Sequence, residues 1–134
     1  MKSYQEIQIT KHGAADVLKI HPFELSDPKE NEVQIEVKGA GINFADIMMR
    51  QGLYPEAPKP PFVPGYEVSG KVLKVGPKVT KYRPGDRVMA ACRFGGYTQG
   101  INVHELLVRK LPDGISFEAG AAIPVNYLTA WVGL

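Results

Sequence analysis

Asn43, Asp46, Tyr54, Tyr66 and Glu67 place an amide, two carboxylates and two phenols within residues 43–67. An amide donates and accepts, so Asn43 can serve beside a reacting carbonyl or a ligand hydroxyl. The Tyr54 phenol can donate to an oxygen that gains negative charge in a reaction. Each group also has a plain structural use. Asn43 opens a stretch with helical spacing and Asp46 follows three residues on, which is equally the pattern of an N-cap. A carboxylate in a first helical turn is favoured by the helix dipole without any catalysis. Tyr54 can pack on Pro55, and Glu67 reads as a buried acceptor for backbone or arginine rather than as a catalyst.

Other chemistries are poorly supplied. Cys92 is the only cysteine, which rules out an internal disulfide and a four-cysteine zinc lobe. It reads as a small strand residue whose neighbour Arg93 could lower its pKa. His12, His21 and His104 show no ligand-like spacing and read as surface residues. The net charge is +2, with basic residues scattered, so the chain carries no footprint for nucleic acid and no polybasic run for an anionic membrane. No run approaches the roughly eighteen apolar residues of a membrane span. Met1 to Thr10 lacks the apolar centre of a signal peptide, and together these features suit a cytoplasmic protein.

The elements that would position these groups are mostly short strands. Tyr4 to Thr10 alternates as an edge strand, and Val17 to Ile20 forms a second, with Pro22 and Pro28 bracketing a loop. Glu32 to Lys38 is the clearest strand, with Val33, Ile35 and Val37 sharing one face. Asn43 to Gln51 has helical spacing, with Phe44, Ile47 and Met48 on one side and Gly52 as the C-terminal glycine. The proline-rich stretch Pro55 to Pro64 is stiff loop, anchored by Phe62 and Val63. Glu67 to Val75 alternates again, and Gly70 marks a bulge or a tight backbone approach. Strands follow near Val88, from Gly95 to Gln99 and at Leu106 to Val108. Ser116 then caps a short helix, and Asn126 to Leu134 begins another. Short strands separated by Gly and Pro turns predict a compact β barrel or sandwich with few helices, a mainly β (α+β) class.

Two segments carry a resemblance. Gly39-Ala40-Gly41-Ile42-Asn43-Phe44-Ala45-Asp46 and Pro64-Gly65-Tyr66-Glu67-Val68-Ser69-Gly70 together resemble the catalytic-domain signature of the medium-chain dehydrogenase/reductase superfamily. Gly85-Asp86-Arg87-Val88 and Gly96-Tyr97-Thr98-Gln99 extend the likeness over nearly the whole chain. In the zinc alcohol dehydrogenases the first motif carries a cysteine and the second a His-Glu pair. Here Asn43 and Tyr66 stand at the cysteine and histidine positions and only Glu67 remains. A catalytic zinc wants three protein ligands, so the pattern resembles the zinc-free branch of quinone oxidoreductase, zeta-crystallin and the vesicle amine transport proteins.

The resemblance implies a GroES-like, partly open barrel over residues 1–124. Residues 125–134 would begin a helix leading to a nucleotide-binding domain not contained here. No Gly-x-Gly-x-x-Gly follows a strand in this chain, and a cofactor domain needs on the order of 130 further residues. The chain therefore reads as the N-terminal part of a larger, homodimeric enzyme. That enzyme would use NADPH, or NADH, without zinc. Asn43, Tyr54 and Asp46 would serve the chemistry. Asn43, Asn126 and Thr129 would meet the nicotinamide, and Phe44, Met48, Leu53, Tyr66 and Phe94 would line the pocket. A simple ketone gives a localised alkoxide that zinc usually stabilises, whereas a quinone or α,β-unsaturated carbonyl spreads the charge itself. The expected substrates are conjugated carbonyls. Met48, where bacterial quinone oxidoreductases carry a second tyrosine, leaves open a binding protein of the vesicle amine transport type with little catalysis. A stand-alone GroES-like interaction module is the third reading.

Overall fold

The computed structural model describes residues 2–134. Seven strands make two antiparallel sheets: β1 (Ser3–Ile9), β2 (Leu18–Glu24), β3 (Glu32–Ala40), β4 (Glu67–Val75), β5 (Arg87–Ala91), β6 (Gly100–His104) and β7 (Val108–Lys110). The larger sheet runs β6-β3-β4-β5-β7, and β1 pairs with β2 in the smaller one. Three helices complete the chain: α1 (Phe44–Gln51), α2 (Phe117–Ala121) and α3 (Pro124–Gly133). The architecture is mainly β with short helices, as the turn-rich sequence predicts. The sheets stay open instead of closing into a barrel.

Alternation makes β3 the organising strand. Val33 and Ile35 are fully buried against Val68, Val72, Val88, Val103 and Val108. Each such aliphatic contributes roughly 1.5–3 kcal/mol by leaving water. Gly70 is where β3 and β4 come closest, since a Cβ there would run into the Glu36 carbonyl oxygen. The register of β3 slips between Gln34 and Ile35 and again between Val37 and Gly39. The tight approach expected at Gly70 is present, with one extra residue, Lys38, on β3 beside it and another, Leu73, on β4. Tyr82 closes the core from below, its hydroxyl donating to the Val108 carbonyl.

Several local expectations are corrected. β1 is not an edge. Its Gln5, Ile7 and Ile9 turn their backbone groups to Gln99, Tyr97 and Phe62, so a strap of loop covers that side. β2 is the edge, and it runs through Pro22 instead of stopping before it. Gln5, opposite Pro22, spends its N–H and C=O on Gln99, so this is a non-hydrogen-bonded pair in which the missing proline N–H faces away. Residues 95–99 form that strap, not a sheet strand, and the strand begins at Gly100. Leu106 and Leu107 sit in a 3₁₀ turn, Glu105–Leu107, and both are exposed.

Candidate functional site

The site is built around the start of α1. Asn43 is its N-cap in extended backbone, and Gly52 ends it in the left-handed conformation at φ +77°, as Gly52's place after the periodic stretch predicts. The Asp46 carboxylate reaches back so that its Oδ2 accepts the Asn43 N–H at 2.9 Å, one arm of a capping box. At the other end Arg50 donates to the Gly13 carbonyl at 2.6 Å, pinning the helix to the loop after β1. Asp46 and Met49 are the buried residues of α1, while Phe44 and Ile47 face outwards. The apolar side expected from Phe44, Ile47 and Met48 is therefore the wrong face. The helix docks through Met49 onto Ile9, Val17 and Phe62.

Glu67 is the hub. It is 1% exposed, and both carboxylate oxygens are engaged. Oε1 accepts from Asn43 Nδ2 at 3.0 Å, and Oε2 accepts the Val125 N–H in the first turn of α3 at 2.8 Å. One carboxylate thus ties the caps of two helices that are far apart in sequence, where the dipoles favour negative charge. Gly41 makes room for it, because a Cβ at that position would overlap the Glu67 side chain. Gly39, earlier in the same motif, lets α2 approach, with the Phe117 carbonyl 2.9 Å from where its Cβ would sit.

Asp46 has a second donor that sequence reasoning did not single out. Tyr97 Oη donates to its Oδ2 at 2.8 Å, while Oδ1 is buried and has no partner among the described residues. Burial, then the hydrogen bond to Asp46, holds the Tyr97 phenol well above the usual tyrosine range. Only the Gly96-Tyr97 motif points to this residue, and the strap that carries it reads from sequence as a strand. Residues 63–66 and 92–97 run side by side, with the Cys92 N–H donating to the Tyr66 carbonyl and the Tyr97 N–H to the Pro64 carbonyl.

Of the site residues named from sequence, Tyr54, Tyr66 and Phe94 come together on the cluster formed by Met49 and Phe62. Tyr66 and Phe94 stack tilted at 5.8 Å, and Phe94 meets Phe62 edge-on at 6.3 Å. Burial, followed by the neighbouring Tyr54, keeps the Tyr66 phenol well above its ordinary range. Met48 is half-buried, whereas Phe44 and Leu53 are exposed and do not join this cluster. The Cys92 thiol is pushed up to about 12 by burial, with the Glu67 and Asp46 charges adding to it. Arg93 does not lower it.

Asn126 and Thr129 lie on α3, both exposed, one turn apart. Asn126 Nδ2 donates to the Ala122 carbonyl at 2.8 Å, the back-bond often made by short polar side chains in helices. Tyr127, Leu128 and Trp131 leave an apolar side of α3 exposed over a cavity of about 490 Å³ that Met89, Ala91 and Leu106 also line.

These donors do not suit zinc. Among the described residues no three His, Cys, Asp or Glu side chains converge. Glu67 is already shared between Asn43 and Val125, and Tyr66 is stacked on Phe94. For a nicotinamide, the amide of Asn43 and the hydroxyl of Thr129 are compatible donors and acceptors. The anion-binding glycine-rich helix start that holds a pyrophosphate is not among these elements.

An open antiparallel sheet, strapped to a hairpin and carrying short helices at its mouth, is a GroES-like domain. The chain belongs to the alcohol dehydrogenase GroES-like domain family, which matches residues 29–121, and through it to the medium-chain dehydrogenase/reductase superfamily. A zebrafish synaptic vesicle membrane protein VAT-1 homolog is 40% identical over 134 residues, with 98% of this chain aligned to 28% of that protein. Quinone oxidoreductase 1 of Escherichia coli is 42% identical over 132 residues, covering 93% of this chain and 38% of that one. The solved human VAT-1 homolog-like protein superposes with a TM-score of 0.95 at 36% identity, over 99% of this chain and 43% of its own. Escherichia coli quinone oxidoreductase, solved with NADPH, gives 0.90 at 40% identity, over 97% and 40%. The chain thus spans about two fifths or less of the length of these relatives. Among the described residues no helix is long and apolar enough to cross a membrane.

Proposed function

We propose that this chain is the substrate domain of a zinc-independent, NAD(P)H-dependent oxidoreductase that reduces quinones or α,β-unsaturated carbonyls. The observation that carries the reading is the Asn43–Glu67–Val125 hydrogen-bond set. Asn43 and Glu67, joined in this set, stand at two of the motif positions where zinc-dependent members hold metal, and Tyr66 stands at the third. The relatives named quinone oxidoreductase support the substrate class, and the NADPH bound by one of them supports the cofactor.

A nicotinamide cofactor would supply the hydride. The chain's own residues then have three tasks. Tyr66 and Phe94 offer an aromatic wall for a flat conjugated ring. Tyr54, packed on the same cluster, brings a phenol that can donate to the oxygen that gains charge. Asp46 and Tyr97 hold the start of α1, and with it Asn43, in place. Delocalisation over the conjugated acceptor makes such neutral donors sufficient where an alkoxide would need a metal.

Likeness to the VAT-1 proteins favours a second reading, a binding protein of that type that retains the cofactor site. NADPH oxidation by the full-length protein across a panel of quinones and enals separates the two. Turnover that is insensitive to chelators and is lost on Tyr54→Phe supports the enzyme. NADPH binding without any oxidation supports the binding protein.

A further inference from the structure

Asn43 is held by more of the structure than a cap requires, and the chemistry of its partner decides how it meets a ligand. We infer that Glu67 is a positioning residue that sets the orientation of the Asn43 amide. Nδ2 is thereby turned inward, and the carbonyl oxygen, which faces the Asp46 N–H in the capping box, keeps its second lone pair for a hydroxyl or amide N–H of the cofactor or substrate. This rests on the reading of the site as an oxidoreductase centre.

A carboxylate only accepts, so it selects between the two orientations of a neighbouring amide that are otherwise nearly isosteric. Glu67 Oε1 receives Asn43 Nδ2 at 3.0 Å, and flipping the amide would set two oxygens against each other at that distance. Glu67 cannot turn away. It is 1% exposed, Gly41 is packed against it, and its Oε2 is bound to the Val125 N–H at 2.8 Å. The backbone of Asn43 is fixed independently by Asp46 at 2.9 Å. With its backbone and one Nδ2 proton committed, Asn43 is suited to accept from a ligand donor through its carbonyl oxygen. Asn43 thereby acts on the orientation of the bound molecule.

The assignment separates Glu67→Gln from a generic loss of packing. The substituted side chain can still accept the Val125 N–H, but its new amide nitrogen faces Asn43 as a donor and turns the Asn43 amide over. Asn43→Asp alone opposes two carboxylates. The double variant Asn43→Asp with Glu67→Gln restores a donor–acceptor pair, leaves an oxygen facing outward, and keeps the net charge of the native pair.

The test uses full-length protein. NADPH affinity by fluorescence should weaken roughly tenfold in each single variant, the upper range expected for one neutral hydrogen bond. The double variant should return to within about threefold of the parent, the signature of a direct pair in a mutant cycle. Unchanged affinity in Glu67→Gln, or a double variant no better than the weaker single one, overturns the inference. A second readout does not depend on cofactor. In protein labelled with 15N-asparagine, the Asn43 side-chain signal, assigned by its loss in Asn43→Asp, should have one proton shifted downfield and slow to exchange. That shift should vanish in Glu67→Gln, and an identical signal in both proteins would refute the orientation. If the parent binds no NADPH, the oxidoreductase reading fails and the amide signal alone decides the role of Glu67.

Discussion

Replacing Gly41 by alanine should destabilise the domain by about 3 kcal/mol, with the cost set by Glu67 and not by the backbone. Gly41 does not occupy the left-handed region, so alanine meets no conformational penalty there. The penalty is spatial. The added Cβ would lie well under 3.0 Å from the Oε1, Cγ and Cδ atoms of Glu67. A flexible surface glutamate would swing aside, but this one is 1% exposed and held by Asn43 and Val125. Displacing it breaks two hydrogen bonds to a charged group, each worth about 1.5–3 kcal/mol, so full displacement costs up to about 6 kcal/mol. A small backbone shift that keeps both bonds costs about 1–3 kcal/mol, the usual range for overpacking. The value of about 3 kcal/mol lies where these ranges meet, and at this chain length it lowers Tm by roughly 10 °C. Thermal and urea unfolding followed by circular dichroism measure it. Gly114→Ala is the control, since a Cβ there meets nothing within 4 Å. A Gly41→Ala protein that melts within about 2 °C of the parent would refute the claim that Glu67 is immobile.

Arg87→Lys should lower stability by about 1–3 kcal/mol, because one guanidinium donates to the Pro112 and Ile115 carbonyls and lies 4.7 Å over the Phe117 ring; urea unfolding reads the loss. The Cys92 thiol, ordinarily near 9.0 and here pushed up to about 12, makes a pH prediction. A raised folded-state pKa contributes stability that is complete below pH 9.0 and is lost as pH rises towards about 12, with Tyr66 and Tyr97 acting in the same sense. Unfolding curves at pH 8 and pH 10.5 should show the decline, and the native thiol should react with a disulfide reagent at pH 8 far more slowly than the unfolded one. The chain of 134 residues alone should bind NADPH no tighter than millimolar, because a few hydrogen bonds of about 1 kcal/mol each cannot offset association entropy; calorimetry detecting micromolar affinity would contradict this.

What could be read from sequence depended on how local its cause is. The strand β3 was legible because Val33, Ile35 and Val37 alternate with polar residues, and α1 because Asn43 and Gly52 punctuate both ends. The buried face of α1 was not, since Phe44 and Ile47 are core residues by type and only tertiary docking selects Met49 and Asp46 instead. Pro22 read as a strand breaker because its tolerance depends on pairing with Gln5, which in turn depends on the distant Gln99. Glu67 could be recognised as a buried acceptor from its place in the motif. Its partners could not, because Val125 lies 58 positions along the chain. Tyr97 was missed for the same reason, its bond to Asp46 spanning 51 positions.

The central claim is reduction of conjugated carbonyls without metal, and one measurement addresses it most directly. Full-length protein should be assayed for zinc content and for NADPH oxidation with a quinone and an enal, before and after dialysis against chelator. The account predicts substoichiometric zinc, unchanged turnover after dialysis, and loss of turnover in Tyr54→Phe. One zinc per subunit, with activity that falls on chelation and returns with added metal, would contradict it.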